Sequence, residues 1–340
     1  MKPYHRSLLL LLFSFAAIFV HAQSYNDSKA LVDAGVALYD KGNYNDAIEK
    51  YKEALKINPN DLRADFEMAY TLQTINKGME AVPFLEKILQ SNGSKYEAYQ
   101  LLGSIYDDNN QPEKAIEQYL AGIKDKPDFA LLHLNLAITY SRVKKYAEAE
   151  AEAIESIKLD PRHASNHRIY AIVTYKQGKR ACSLLGWCNF LLLEPQSKRS
   201  GEGMAYVKNI LNYGITKTGE KSVTVSVPST DLNSINLGMQ MAVLTATDNK
   251  KDLSAVDTLS LQLKSVFEIV GEQSDKLETP FFSKYYAKYF LKLAKSENIP
   301  AFARVISLSA YQEEDTKWLK EHNKELQELD RWVSTTEREF

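Results

Sequence analysis

Residues that stop a helix return at fixed intervals along this chain. "ALKINPND" at 54–61 is followed by "GIKDKPDF" at 122–129, "SIKLDPRH" at 156–163 and "FLLLEPQS" at 190–197. Pro59, Pro127, Pro161 and Pro195 stand 68, 34 and 34 residues apart. Midway through the first gap, in "ILQSNGSK", lies Gly93, another residue that ends helices. A sustained period of 34 residues constrains the fold more than any other feature. One unit has room for two short helices and two turns, too little to bury an apolar face alone, so each unit must stack on the next.

With units at 28–61, 62–95, 96–129, 130–163 and 164–197, three places carry the same kind of residue throughout. The eighth is always small: Gly35, Ala69, Gly103, Ala137 and Ala171. The twentieth is Ala47, Ala81, Ala115 and Ala149, then Ser183. The twenty-fourth holds Tyr51, Leu85, Tyr119, Ala153 and Trp187, mostly large side chains suited to filling space between units. "DKGNYNDA" at 40–47, "NNQPEKA" at 109–115, "KKYAEA" at 144–149 and "KQGKRA" at 176–181 break the units near their middle. Each unit therefore reads as helix, short turn, helix, loop.

Small at place eight, Leu or Tyr near place eleven (Leu38, Leu72, Tyr106, Tyr140), Ala at twenty and Pro at thirty-two resemble the tetratricopeptide repeat. Unit 1, "GVALYDKGNYNDAIEKYKEALKINP", is close to that pattern throughout; unit 2 lacks the proline and unit 5 departs after Gly178. The resemblance covers 28–196, half of the chain. It implies an all-α fold: a right-handed superhelix of about five helix-turn-helix repeats, followed by a further helical region.

The same resemblance implies a concave groove lined by places 2, 5, 9, 12 and 13 of each first helix. Its candidate partner-binding residues are Val32, Val36, Tyr39, Phe66, Tyr70, Asp107, Leu134, Ile138, Arg168 and Tyr175. Phe66, Tyr70, Leu134 and Ile138 are the expected anchors, because buried apolar groups supply most of an interface's energy. The lining turns from acidic at Asp40, Asp107 and Asp108 to basic at Arg142, Arg168 and Lys176. Family members that clamp the tails of cytosolic heat-shock chaperones use Lys and Asn at places 5 and 9 of the first repeat. Val32 and Val36 stand there instead, which excludes that role.

Beyond residue 197 the register is expected to stop. Met204, Val207, Ile210 and Leu211 give 198–216 the face of a capping helix. In 217–230, "KSVTVSV" alternates as a strand does. It forms a weak hairpin across Gly219-Glu220, adds to another chain's sheet edge, or runs as an extended linker, the reading taken here. Residues 231–340 read as a helical domain with helices near 231–247, 253–271, 280–296, 299–309 and 313–335. In "TPFFSKYYAKYFLKLAK", Thr279 caps, Pro280 opens the helix, and the aromatic stripe is wide enough for burial on both sides. Trp318, His322, Leu326, Leu329 and Trp332 are expected on one face of a single final helix.

Residues 1–22 read as a cleaved signal peptide: Lys2 and Arg6, an apolar run from Leu8 to Val20, then Val20-His21-Ala22 before a cut at Gln23. No cysteine follows the run, so a lipoprotein is not expected, and no later stretch has spanning length. The expectation is export to the periplasm, or secretion or surface association, with no membrane span after cleavage. A net charge of −2 without a Lys/Arg-rich block disfavours nucleic acid. Cys182 and Cys188, six positions apart on one helix, point in different directions and form no disulfide. His163 and His167 have a spacing that binds metal on a helix, but no carboxylate or cysteine completes the set. No phosphate loop, dinucleotide fingerprint, GxSxG or HExxH is present. No catalytic residue, cofactor or metal is assigned. The expected function is a non-enzymatic scaffold of the bacterial cell envelope that binds a peptide or protein segment. The alternative makes the C-terminal helical domain a ligand-binding or catalytic module, with the repeats recruiting its partner.

Overall fold

In the computed structural model, residues 26–93, 95–217, 223–225, 233–248, 250–276 and 280–340 are described. The expected signal peptide and the Thr279 cap lie outside them. The chain divides into two compact units, Met1–Asn135 and Leu136–Phe340.

The first unit contains α1 (26–40), α2 (Tyr44–Ile57), α3 (Leu62–Thr74), α4 (Gly78–Leu89), α5 (Tyr96–Asp108) and α6 (Pro112–Asp125). The division between units falls inside α7 (Ala130–Arg142). The second unit continues with α8 (Tyr146–Leu159), α9 (Ala164–Lys176), α10 (Arg180–Leu193) and α11 (Lys198–Asn212). Strands β1 (Ile215–Lys217) and β2 (Val223–Val225) follow, then α12 (Asn233–Thr245) and α13 (Ala255–Gln273). A π-helical turn (Phe282–Ala287) leads into α14 (Lys288–Ala294), and α15 (Ile299–Ser307), α16 (Gln312–Glu321) and α17 (Asn323–Thr335) complete the unit.

One turn closes the first helix of every repeat. The fifteenth place has positive φ in all five: Gly42 (79°), Asn76 (59°), Asn110 (56°), Lys144 (62°) and Gly178 (75°). The amide after each reaches back to the carbonyl at place eleven, as in Asn43 N to Leu38 O (2.9 Å) and Lys179 N to Thr174 O (2.9 Å). The amide at place fifteen itself bonds place twelve, as in Gly42 N to Tyr39 O at 2.8 Å. This is the Schellman pattern, which satisfies the last carbonyls of a helix while reversing the chain.

The conserved pattern of side chains within the repeats is a set of close crossings. A β-carbon on Gly35 would stand 2.8 Å from Cδ1 of Tyr51, and one on Gly103 would stand 2.7 Å from Cδ1 of Tyr119. Both tyrosines are buried. The ring at place twenty-four thus occupies the volume that a side chain at place eight would take. Where place eight is Ala69, its counterpart is the smaller Leu85, again buried. At place twenty the four alanines are fully buried, and Ser183 donates its hydroxyl to the Ala171 carbonyl at 2.7 Å.

The register runs one helix further than expected. Arg199 and Glu202 in α11 occupy places 2 and 5 of a sixth first helix, and they meet Ser165 (3.0 Å) and Arg168 (2.7 Å), which hold those same places in repeat 5. Tyr206 stacks on Trp187 with ring centroids 4.8 Å apart, and Ser197 and Ser200 form a capping box at the start of α11. The strands after it pair antiparallel, Ile215 with Val225 and Lys217 with Val223, so 217–230 contains a hairpin partner rather than a plain linker.

Two further expectations change. The final helix is broken at His322, whose backbone leaves the helical region (φ −120°, ψ 45°) and whose Nδ1 lies 2.9 Å from the Trp318 carbonyl. The break re-aims α17, burying Leu329 and setting Trp332 against Tyr289 at 4.9 Å. The aromatic segment 282–287 is wound as a π turn rather than an α-helix. That wider turn buries both Tyr285 and Tyr286, with edge-to-face rings at 4.9 Å.

The Gly103→Ala substitution is expected to lower stability by about 1–3 kcal/mol through overpacking against Tyr119. Adding Tyr119→Leu, which recreates the Ala69–Leu85 pairing, should recover most of that loss. Urea unfolding of the single and double variants measures both. An unchanged midpoint for Gly103→Ala would contradict the steric account.

Candidate interaction surface

In the first unit the first helices of adjacent repeats touch along their groove places. The Tyr39 hydroxyl lies 3.1 Å from Thr74 Oγ1, and Gln73 Nε2 donates to Asp108 at 2.5 Å. Arg63 bridges back to Asp33 at 2.5 Å. Over this ladder lie three aromatic rings: Tyr39 and Tyr70 at 5.6 Å, and Phe66 stacked on Tyr70 at 6.5 Å. Tyr70 keeps 46% of its surface exposed, while Phe66, Val36 and Tyr39 are half-buried. These neighbouring contacts hold the rings, so little side-chain entropy remains to be lost on binding. Asp40 and Asp108 are exposed at the late edge of the same face, and no cation pairs with either among the described residues.

Two candidate groove residues, one of them an expected anchor, are not available. Val32 is 0% exposed and Leu134 4%, so both belong to the packing and present no contact surface. Asp107 is also buried. On the first helix of the fourth repeat the exposed large apolar side chains are Leu131, at place 2, and Ile138, at place 9. Leu131 was missing from the candidates, although the family's groove places include its position. A helix turns by 100° per residue, so place 5 can rotate inward while places 2 and 9 stay outside.

In the second unit, Arg168 is neutralised by Glu202 and Tyr175 packs edge-to-face on Tyr206 at 5.1 Å. Helix α11 therefore occupies the side of repeat 5 on which these two candidates lie. Leu237 and Met241, four apart on α12, are a separate exposed apolar pair.

The histidines singled out for their spacing are structural. His133 and His167 share place 4, and each lies beside the carbonyl of the proline ending the preceding repeat: Nε2 of His133 is 3.0 Å from Pro127 O, and Nε2 of His167 is 2.8 Å from Pro161 O. A carbonyl only accepts, so Nε2 of His167 carries the proton and Nδ1 accepts from the Tyr286 hydroxyl at 2.6 Å. Both ring nitrogens are occupied. His163 lies 3.2 Å from Asn166. Cys182 and Cys188 are buried free thiols, and burial pushes the Cys182 thiol up to about 12.

A family model described as TPR repeat matches residues 35–75, and one described as tetratricopeptide repeat matches 96–129 and 130–163. Residues 35–75 and 96–163 thus carry tetratricopeptide repeats. The chain is similar to human Protein O-mannosyl-transferase TMTC1, 30% identical over 187 residues, covering 54% of this chain and 21% of that protein. It is also similar to human Tetratricopeptide repeat protein 33, 34% identical over 76 residues, covering 22% of this chain and 29% of that one. The chain thus spans less than a third of the length of either curated relative. Among solved structures, Pseudomonas aeruginosa PilF is 20% identical with a TM-score of 0.49, covering 55% of this chain and 90% of that one. No helix among the described residues is long and apolar enough to cross a membrane.

Burial pushes His167 down to about 3, against the opposing hydrogen bond to Pro161. Unfolded, the imidazole takes its proton near pH 6.5, so the stability it contributes is complete above that pH and is lost as pH falls towards 3. By pH 5 the loss is about 2 kcal/mol. Urea unfolding at pH 7 and pH 5 should show His167→Gln losing less than wild type by that amount. An equal loss in both would place the acid sensitivity elsewhere.

Proposed function

We propose that this protein is a non-enzymatic interaction scaffold of the bacterial cell envelope. Its tetratricopeptide array holds an extended segment of a partner protein against the first-helix face of repeats 1 to 3. The observation that carries this reading is the Tyr39, Phe66 and Tyr70 set, fixed by its own neighbours and still open to solvent. Aromatic groups held in this way are the usual energetic centres of an interface. Repeat arrays use such extended faces for binding. Asp40 and Asp108 at the edge add a charge preference, so the segment combines an aromatic or aliphatic anchor with a Lys or Arg. The envelope location rests on residues 1–22, with their basic start, apolar run and small residue before the cut.

Peptide selection on the purified chain tests this directly. Wild type should enrich peptides pairing an aromatic with Lys or Arg. The Tyr70→Ala variant should weaken the selected peptides by about 2 kcal/mol, a factor of about 30. Asp40→Lys should mainly slow association and flatten its salt dependence. Peptides that bind the Tyr70→Ala variant as tightly as wild type would move the interface off this face.

A further inference from the structure

Helix α10 begins with an arginine where the other four repeats begin their second helix with an uncharged residue: Tyr44, Gly78, Pro112 and Tyr146 stand at the place of Arg180. Two physical costs fall on that charge. A helix N-terminus is its positive end, which disfavours a cation, and α10 has neither a side-chain cap nor an acidic residue in its first turn. Arg180 is also buried, with 2% of its surface exposed. A guanidinium taken out of water needs a counter-charge or a full set of acceptors.

It has neither. Nη2 reaches Gln240 Oε1 at a long 3.4 Å, while Nε and Nη1 have no acceptor. The face of Tyr213 lies 4.4 Å from Cζ. Neighbouring Lys179 is engaged by Glu150 at 2.6 Å, so that carboxylate serves the lysine. Burial lowers the affinity of Arg180 for its own proton, opposed by the hydroxyls of Tyr213 and Tyr175. Beside the guanidinium, the amide nitrogen of Gln240 is buried and has no partner either. Unsatisfied donors from α10 and α12 therefore meet at one place. Tyr213, 42% exposed, is the member of this group nearest to solvent.

We infer that Arg180, Gln240 and the uncapped start of α10 form a binding site for a small oxyanion, a carboxylate or phosphate group, with the Tyr213 ring as its outer wall. Such a group accepts from Nε, Nη1 and the Gln240 amide at once, and its charge is favoured by the helix end. This inference stands apart from the peptide-binding face of repeats 1 to 3 and does not depend on it.

Thermal unfolding of the full chain tests it, with inorganic phosphate and acetate titrated separately and ionic strength held constant with chloride. A ligand that binds only the folded state raises Tm by mass action, so the effective anion should produce a rise of about 5 °C or more at a hundred times its Kd. Whichever of the two acts names the group. Arg180→Met should show no such rise, and in chloride alone it should be at least as stable as wild type, since an apolar isostere removes the unpaired charge. Gln240→Leu, which keeps the arginine, should raise the half-saturating concentration about fivefold and keeps the question answerable if the Met variant does not fold. No response to either anion in wild type, or the same response in the variants, would overturn the site.

Discussion

The β-carbon missing at Gly35 and Gly103 is the constraint on which the repeats depend. Without it the rings of Tyr51 and Tyr119 lie against the backbone of the first helix, in the space a β-carbon at Gly35 or Gly103 would take. The alanines at place twenty then let the next contact form, and the positive-φ residue at place fifteen returns the chain at the required angle. Each device is local, and each recurs after 34 residues. Stability in such an array accumulates from nearest-neighbour terms rather than from one central core.

This packing also decides which side chains are left for binding. Once the close crossings have taken places 8, 20 and 24, the first helices keep one face that is not needed for cohesion. On repeats 1 to 3 that face carries Tyr39, Phe66 and Tyr70 with two unneutralised carboxylates at its edge. On repeat 5 the corresponding residues are used by α11, which behaves as one more first helix and spends Arg168 on Glu202 and Tyr175 on Tyr206. The second unit instead invests its aromatic residues in a core where Tyr285, Tyr286 and Tyr289 are buried, and Arg338 returns from beyond α17 to lie on Tyr289 and reach Asn189.

What could be read from the sequence followed from periodicity. Places 8, 20 and 24 are visible because steric demands repeat, and a residue type repeated five times in register is a signal that no single helix provides. The groove was legible only as a set of places. Val32 and Leu134 lie on it in register yet are covered, because rotation of a helix by a fraction of a turn decides exposure and leaves no mark on residue type. The π turn at 282–287 and the break at His322 were hidden for a related reason: both preserve an apolar pattern close to helical while changing the hydrogen-bond ladder. Arg180 was legible in part, as a charge at a place otherwise uncharged, but its unsatisfied Nε and Nη1 appear only when α12 is folded beside it.

The central functional claim is that the exposed aromatic face of the early repeats, and not the apolar pair on α12, meets the partner. A photo-crosslinking amino acid at position 70, compared with one at position 241, measures this most directly in cells that produce the protein. Tyr70 and Met241 are both exposed, so reach alone does not bias the comparison. The account predicts a discrete protein adduct from position 70 and none of comparable yield from 241. An adduct from 241 with position 70 silent would contradict it and place the interaction on the C-terminal helices.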